Sequence, residues 1–436
     1  MSVERLTRRP LYSLAVLTVI WIFAYVDRQI IAILVPSLKH DLGISDIQVS
    51  LLQGLAFAAF FALAGLPIGR LVDRGHRRSV IIVGVLIWSV MTIACGFARS
   101  FEQLFVLRMF VGVGEACLAP AAISLVGDLF PAVRRGRVIG VMLMGGAVGT
   151  ALSAVVGGFA LAHFAAGLST RFNAFTDWQM AFVIVGAPGF IMALLLLTLH
   201  EPEQADAPAP DRALDPPKLI PALLSNHAVL VMMLIGFGLN LVASFGVGAW
   251  FPTLLSRAYA VSPARIGSIV GGLLLVIGVA SPIAGGWLSD RFARDHQIRG
   301  RLTLVGIQYG LLALLGLGLL VVTPTLSLTI AVFGVIMALA ASNAASAIVI
   351  LQEQSDAALR GRVIAVYLMI ANIGGMGCGP LAVALLTDRV FEDETMLMRS
   401  IGILVLTCAV GGTALTLAAR ETLFPRSGVR SPSPEM

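Results

Sequence analysis

Charge is what this chain has least of. Only 12% of its 436 residues are Asp, Glu, Lys or Arg, while 58% are hydrophobic. Soluble domains carry about 25% charged residues. A water-soluble body could not hide so much apolar surface, so the chain is an integral membrane protein. Metal-ligand patterns are also missing. The histidines (His40, His76, His163, His200, His227 and His296) are scattered, with no H-x-x-x-H pair, and there is no C-x-x-C. Cys95, Cys117, Cys378 and Cys408 all fall inside apolar runs, where cysteine packs as a small hydrophobe. No nucleophile–base set stands out. An enzyme is therefore not expected, and neither is a metal or other cofactor. The net charge of +6 would suit nucleic acid, but its placement along the chain points elsewhere.

Long apolar runs take the place of charge. Twelve lie at about 11–36, 47–69, 79–98, 102–127, 137–163, 178–199, 227–255, 265–288, 302–322, 326–351, 362–387 and 397–419. Each meets or approaches the roughly 20 residues a membrane helix needs. The first follows Arg5, Arg8 and Arg9, is too long for a signal-peptide core and lacks a small-residue cleavage site, so it is helix 1. The expected fold is all-α, with twelve transmembrane helices in two pseudo-symmetric six-helix bundles.

The basic residues orient the chain. Of 30 Lys and Arg, 21 fall on one side, in the two ends and the even-to-odd loops, and seven on the other; Arg28 and Arg108 lie within spans. Both termini are expected in the cytoplasm, which for a bacterial-looking sequence means the inner membrane. The basic surplus sets topology and meets anionic lipid headgroups, so membrane lipids are expected partners and nucleic acid is not.

Residues 200–222 hold six prolines and five acids and cannot form a packed core. They divide the chain into a first lobe, 1–199, a cytoplasmic linker, 200–222, a second lobe, 223–424, and a disordered tail, 425–436. An internal repeat supports the halves. Arg135-Gly-Arg-Val-Ile139 recurs as Arg360-Gly-Arg-Val-Ile364, and the same offset sets Asp128 on Glu353. Gly69-Arg-Leu-Val-Asp-Arg74 recurs as Gly286-Trp-Leu-Ser-Asp-Arg291. Two such halves joined by a linker are how two-lobed transporters are built.

Within the fourth span, Phe105-Val-Leu-Arg-Met-Phe-Val-Gly-Val-Gly-Glu115 carries Arg108 and Glu115, about two helical turns apart on nearly one face. Asp27 and Arg28 lie in the first span. Charge at the bilayer centre costs roughly 2.5–3.5 kcal/mol on insertion scales and usually faces a watered cavity with a task. Counted from the outer helix ends, Arg108, Asp27 and Glu115 lie roughly 9, 13 and 20 Å deep. Gly112 and Gly114 let a neighbouring helix approach closely. Gly112-Val-Gly-Glu115 is no dinucleotide loop, since it follows no strand.

These residues resemble the major facilitator superfamily across nearly the whole chain. Gly69-x-x-x-Asp73-Arg74-Gly75-His76-Arg77-Arg78 is similar to its loop 2–3 signature, with one glycine a position early. Arg108-x-x-x-Gly112-x-Gly114 resembles its helix 4 arginine motif, associated with proton coupling. Gly375-x-x-x-Gly379-Pro380 has the form of its antiporter motif but sits on helix 11 rather than helix 5, which has no proline. Tyr25-Val-Asp-Arg-Gln29, Gly112-Val-Gly-Glu-Ala116, Pro120-Ala-Ala-Ile-Ser124 and Asp128-Leu-Phe-Pro131 resemble the Spinster-type branch most. The resemblance implies proton-linked movement of lysolipids, sphingoid phosphates or other amphipathic anions, with helices 1 and 4 lining a central cavity.

On that footing the two acids and two arginines form one cluster. Glu115 is expected to carry a proton, with Asp27 as second carrier or structural partner. Arg108 or Arg28 would hold an anionic headgroup through the planar guanidinium. The blander alternative is a static interhelical clamp. The second lobe has no matching charges: the repeat sets Phe333 on Arg108, Ala340 on Glu115 and Ser244 on Asp27. Its polar residues Asn240, Asn343, Asn372 and Tyr367 are candidate substrate contacts, or else interhelical glue. This asymmetry suits an amphipathic ligand, headgroup on the first lobe and tail on the second. Asp73, Arg74, Arg77, Asp128 and Arg135, with Asp290, Arg291, Glu353 and Arg360, are expected to form a cytoplasmic gate of weak, breakable pairs. The expected function is proton-driven secondary transport of an amphipathic or anionic small molecule by a monomer. The alternatives are a drug or polar-metabolite facilitator, and a receptor that does not transport.

Overall fold

The computed structural model describes residues 8–164, 175–199, 201, 228–355 and 359–424. Apart from Glu201, the expected linker lies outside the described residues, as do the expected tail and the Asp73 side chain. Among the described residues, twelve helices are long and apolar enough to cross a membrane. They are α1 Pro10–Leu42, α2 Asp46–Gly65, α3 Arg77–Cys95, α4 Phe101–Leu129, α5 Arg134–Ala162 and α6 Asp177–Leu197. The second half has α7 Ala228–Tyr259, α8 Pro263–Arg294, α9 Gln297–Val321, α10 Leu326–Glu353, α11 Arg362–Phe391 and α12 Glu394–Leu423. Among the described residues there is no strand. Twelve crossings bring both ends of the chain to one face, the terminal face; the other is the distal face.

Helix breaks fall where the sequence removes a backbone partner. Pro120 has no N–H to offer Ala116, and α4 is interrupted between Glu115 and Leu118. The ladder of α1 lapses at Ile30, just past Arg28, whose carbonyl accepts from Arg108 Nη2 at 3.2 Å. Pro380 likewise strips the donor from Met376, and α11 runs as a π-helix from Ile370 to Cys378. Gly43, at φ 62°, closes α1 in the left-handed conformation that glycine adopts without penalty. Ser45 and Gln48 then start α2 as a reciprocal cap.

Both helix 4 glycines meet neighbours. A Cβ on Gly112 would stand 2.6 Å from Phe57 O of α2, and one on Gly114 would stand 2.7 Å from Trp88 N of α3. Neither backbone can yield cheaply. Gly114→Val should lower the stability of the purified protein by about 1–3 kcal/mol, read as a fall in melting temperature. An unchanged melting point would show that this crossing is looser than its geometry.

The lobes touch along their distal halves. Gly54 of α2 lies against the freed Met376 carbonyl of α11, and Gly158 of α5 approaches Pro263 and Gly267 of α8. Toward the terminal face, a Cβ on Gly65, Gly69, Gly136 or Gly140 would meet nothing within 4 Å. The distal contact is also ionic. Asp46, wholly buried, receives Lys39 at 2.5 Å and both terminal nitrogens of Arg257 at 2.7 Å. Glu394 pairs with the same Lys39 at 2.7 Å and the same Arg257 at 3.1 Å. Ile47 N donates to Asp388 at 2.9 Å, and Ser50 Oγ to Pro380 O at 3.0 Å. Lys39, Asp46, Ile47 and Ser50 belong to the first lobe and Arg257, Pro380, Asp388 and Glu394 to the second, so the network latches the distal face shut.

Candidate functional site

Asp27, Arg28, Arg108 and Glu115 come together in the middle of the first lobe, paired crosswise. Arg28 Nη2 and Nε donate to Glu115 Oε2 at 2.6 and 3.0 Å. Arg108 Nη1 stands 3.6 Å from Asp27 Oδ1, an ion pair too long for a hydrogen bond. Thr92 of α3 donates to Asp27 Oδ2 at 2.6 Å. Asp27, Arg108 and Glu115 are buried, whereas the Arg28 side chain keeps 12% exposure. Tyr25, Phe57 and Phe61 surround the Arg28 guanidinium, with ring centroids at 4.9, 4.4 and 5.2 Å. Aromatic faces hold a cation in place without neutralising it.

The cluster balances two carboxylates against two guanidiniums, which is what makes it tolerable in a low-dielectric interior. It is not saturated. Glu115 Oε1, Asp27 Oδ1, and Arg108 Nε and Nη1 are buried without hydrogen-bond partners. Glu115 therefore has a free oxygen for a proton while its other oxygen holds Arg28.

A cavity of about 150 Å³ lies between the lobes. Its first-lobe wall includes Arg28, Gln29, Gln53 and Thr150; its second-lobe wall includes Phe245, Val270, Leu274, Met337 and Met376, with Ser244 the polar exception. Of the four charged residues, Arg28 alone lines it. The first-lobe wall holds the cation and the amides among Ile31, Ala32, Ile33 and Ala154; the second-lobe wall is apolar but for Ser244.

The other residues singled out in the second lobe lie away from this cavity. Asn240 Nδ2 donates to Ala340 O at 3.0 Å, tying α7 to α10. Asn343 is fully buried with both amide atoms unpartnered, and Tyr367 is also buried. Asn372 donates to Leu368 O at 2.9 Å within its own helix.

On the terminal face, ion pairs form within each lobe. Arg77 pairs with Asp128 and, at 3.4 Å, with Glu201. Arg301 pairs with Asp290 at 3.1 Å and with Glu353 at 3.3 Å. The repeat-matched acids thus serve one arginine apiece, each near the start of its lobe's third helix. Arg135 and Arg360 donate to the carbonyls of Phe130 and Ser355 at 2.9 and 3.3 Å, closing equivalent turns. Arg291 lies over the Trp287 ring at 5.8 Å, and Arg74 caps the helix that ends at Asp73.

Sequence reasoning missed Thr92, Gln53, the aromatic collar and the distal latch. Thr92 and Gln53 carry no charge and leave no signature in an apolar run. The latch did leave one: Lys39 and Arg257 are among the few basic residues on the side that has the fewest.

Comparison with known proteins agrees with this architecture. The family profile described as Major Facilitator Superfamily matches residues 17–377 and 233–428. An MFS-type efflux pump of Mycolicibacterium smegmatis is 28% identical over 391 residues, spanning 88% of this chain and 86% of that protein. Protein spinster homolog 1 of Xenopus tropicalis is 26% identical over 417 residues, spanning 89% of this chain and 76% of that protein. The crystal structure of a bacterial homologue of the human lysosomal transporter Spinster, inward-facing and unoccupied, superposes with a TM-score of 0.78. It is 24% identical and covers 95% of this chain and 98% of that one.

Proposed function

Because the chain belongs to the Major Facilitator Superfamily and is a membrane transporter rather than an enzyme, with Spinster homologues among its relatives, we propose that it moves an amphipathic or anionic small molecule together with a proton. The observation that carries this reading is the position of Arg28. It lines the cavity and is held from behind by Glu115 through one oxygen. An anion entering the cavity competes with Glu115 for that guanidinium. Once Arg28 turns to the substrate, Glu115 is left buried and uncompensated, and it takes a proton. Proton and anion therefore favour each other's binding, as linkage requires, and they travel in the same direction. Asp27, held by Thr92 and Arg108, keeps the frame. The apolar second-lobe wall receives the rest of the molecule.

The test is anion affinity against pH in purified protein, with proton uptake by proteoliposomes. Affinity for lysophosphatidate or a short carboxylate should tighten as pH falls, by up to about tenfold per unit for one linked proton. Glu115→Gln should bind tightly at every pH and move no protons. A wild-type affinity independent of pH would sink the coupling.

A second reading, a facilitator of small anions or drugs, is supported by the size of the cavity. About 150 Å³ suits a compact molecule better than a long acyl chain. Competition between short and long members of one anion series separates the two readings. The excess of basic residues on the terminal face supports a cytoplasmic position for that face, in a bacterial inner membrane. In that frame the structure faces inward, with its distal latch on the outside.

A further inference from the structure

Gln53 is buried to 7% exposure on the cavity wall, and neither its amide oxygen nor its amide nitrogen has a partner. Among the described residues only Asn343 shares that condition, and it does not line the cavity. A buried amide left unpaired is costly unless something completes its hydrogen bonds. The position is also firmly held. Gln53 lies in the π-helical segment Leu51–Leu55 of α2, a form that recurs at functional sites. On one side Ser50 bonds Pro380 O at 3.0 Å, and on the other Gly54 packs on the Met376 carbonyl. Phe57, four residues on, covers the Arg28 guanidinium at 4.4 Å. Gln53 thus lies about one helical turn, roughly 5–6 Å along the axis, from the residue that frames the cation, and lines the same cavity as Arg28.

We propose that Gln53 is a substrate-binding residue that reads a hydroxyl group beside the substrate's anion. Both orphaned atoms need filling, so the complementary group must donate to Oε1 and accept from Nε2. A hydroxyl does both; a bare hydrocarbon does neither, and an ether or ketone leaves Oε1 unpaired. The transported class is then a hydroxylated anion, such as a hydroxy acid or a glycerol-type phosphate, rather than a plain fatty or aromatic acid. The inference rests on Arg28 as the anion site and adds the second point of recognition.

Two matched pairs test it on the full-length purified protein: lysophosphatidate against its 2-deoxy analogue, and 3-hydroxyoctanoate against octanoate. Within at least one pair the wild type should prefer the hydroxylated member by about tenfold or more, because a site built for a hydroxyl rejects the analogue that lacks it. In Gln53→Leu the two members of that pair should bind alike. Gln53→Met, closer in shape, is measured beside it, so that one misfolded variant does not decide the matter. Gln53→Asn should keep part of the preference. A preference that survives in both apolar variants, or equal binding by the wild type, overturns the role of Gln53. If the wild type binds no member of either pair, the anion reading of Arg28 fails and takes this inference with it.

Discussion

Arg28→Ala should reduce anion binding and transport by at least about 100-fold, more than any other single change in the first lobe. Arg28 alone places its charge on the cavity. Removing it also strands Glu115, which loses both hydrogen bonds from the guanidinium. An uncompensated buried charge costs about 3–5 kcal/mol, so the single variant should melt early as well. The double variant Arg28→Ala, Glu115→Gln separates the two effects. It removes the stranded carboxylate, so its melting temperature should recover while anion binding stays lost. Arg28→Lys should bind weakly, because an ammonium keeps the charge but not the planar fork that spans a carboxylate and stacks on Phe57. Recovery of binding in the double variant would show that Arg28 is only the counter-ion of Glu115.

Asp46→Ala should open the distal face. Asp46 is the shared acceptor of Lys39 and Arg257 in the wholly buried heart of the latch. Its loss leaves two cations close together, with the half-exposed Glu394 as their one shared partner. At about 3 kcal/mol for breaking a buried pair, the balance of closed to open shifts by about 100-fold. A cysteine replacing Ser244 on the cavity wall reports this directly, in a background where the exposed Cys378 is serine. A membrane-impermeant maleimide applied from the distal side should label it slowly with Asp46 intact and quickly in Asp46→Ala. Equal labelling would move the closure to the glycine contacts of α2 with α11 and of α5 with α8. Asp46→Asn should lie between, since it keeps an acceptor for one of the two donors.

How far the sequence reached depended on which force was at work. Hydrophobic run length is a one-dimensional quantity, so the twelve spans and their division in two were legible. The first apolar run ends at about residue 36, yet the helix continues to Leu42. The polar Lys39, His40 and Asp41 hid its last turn, and Gly43 ends it. The charged cluster was legible because four ionisable residues in apolar helices demand partners. Their pairing was not, because it depends on helix rotation: Glu115 takes Arg28, and Arg108 turns to Asp27 and to a backbone carbonyl. The motif at Gly375–Pro380 illustrates the limit of pattern. Its form resembles an antiporter signature, whereas in the structure its proline frees one carbonyl against Gly54 and offers its own to Ser50 and Trp250.

The charge balance of the cluster has a consequence for energetics across the membrane. Two carboxylates and two guanidiniums sum to zero when the cavity is empty. A monovalent anion that brings one proton to Glu115 leaves the sum at zero, so the loaded carrier would cross without feeling the membrane potential. Only the proton concentration ratio and the substrate gradient would drive it. A dianionic headgroup with one proton would carry a net negative charge inward against the voltage, at about 2.3 kcal/mol per 100 mV. A monoanion would therefore be accumulated equally in polarised and depolarised vesicles, and a phosphate dianion would not.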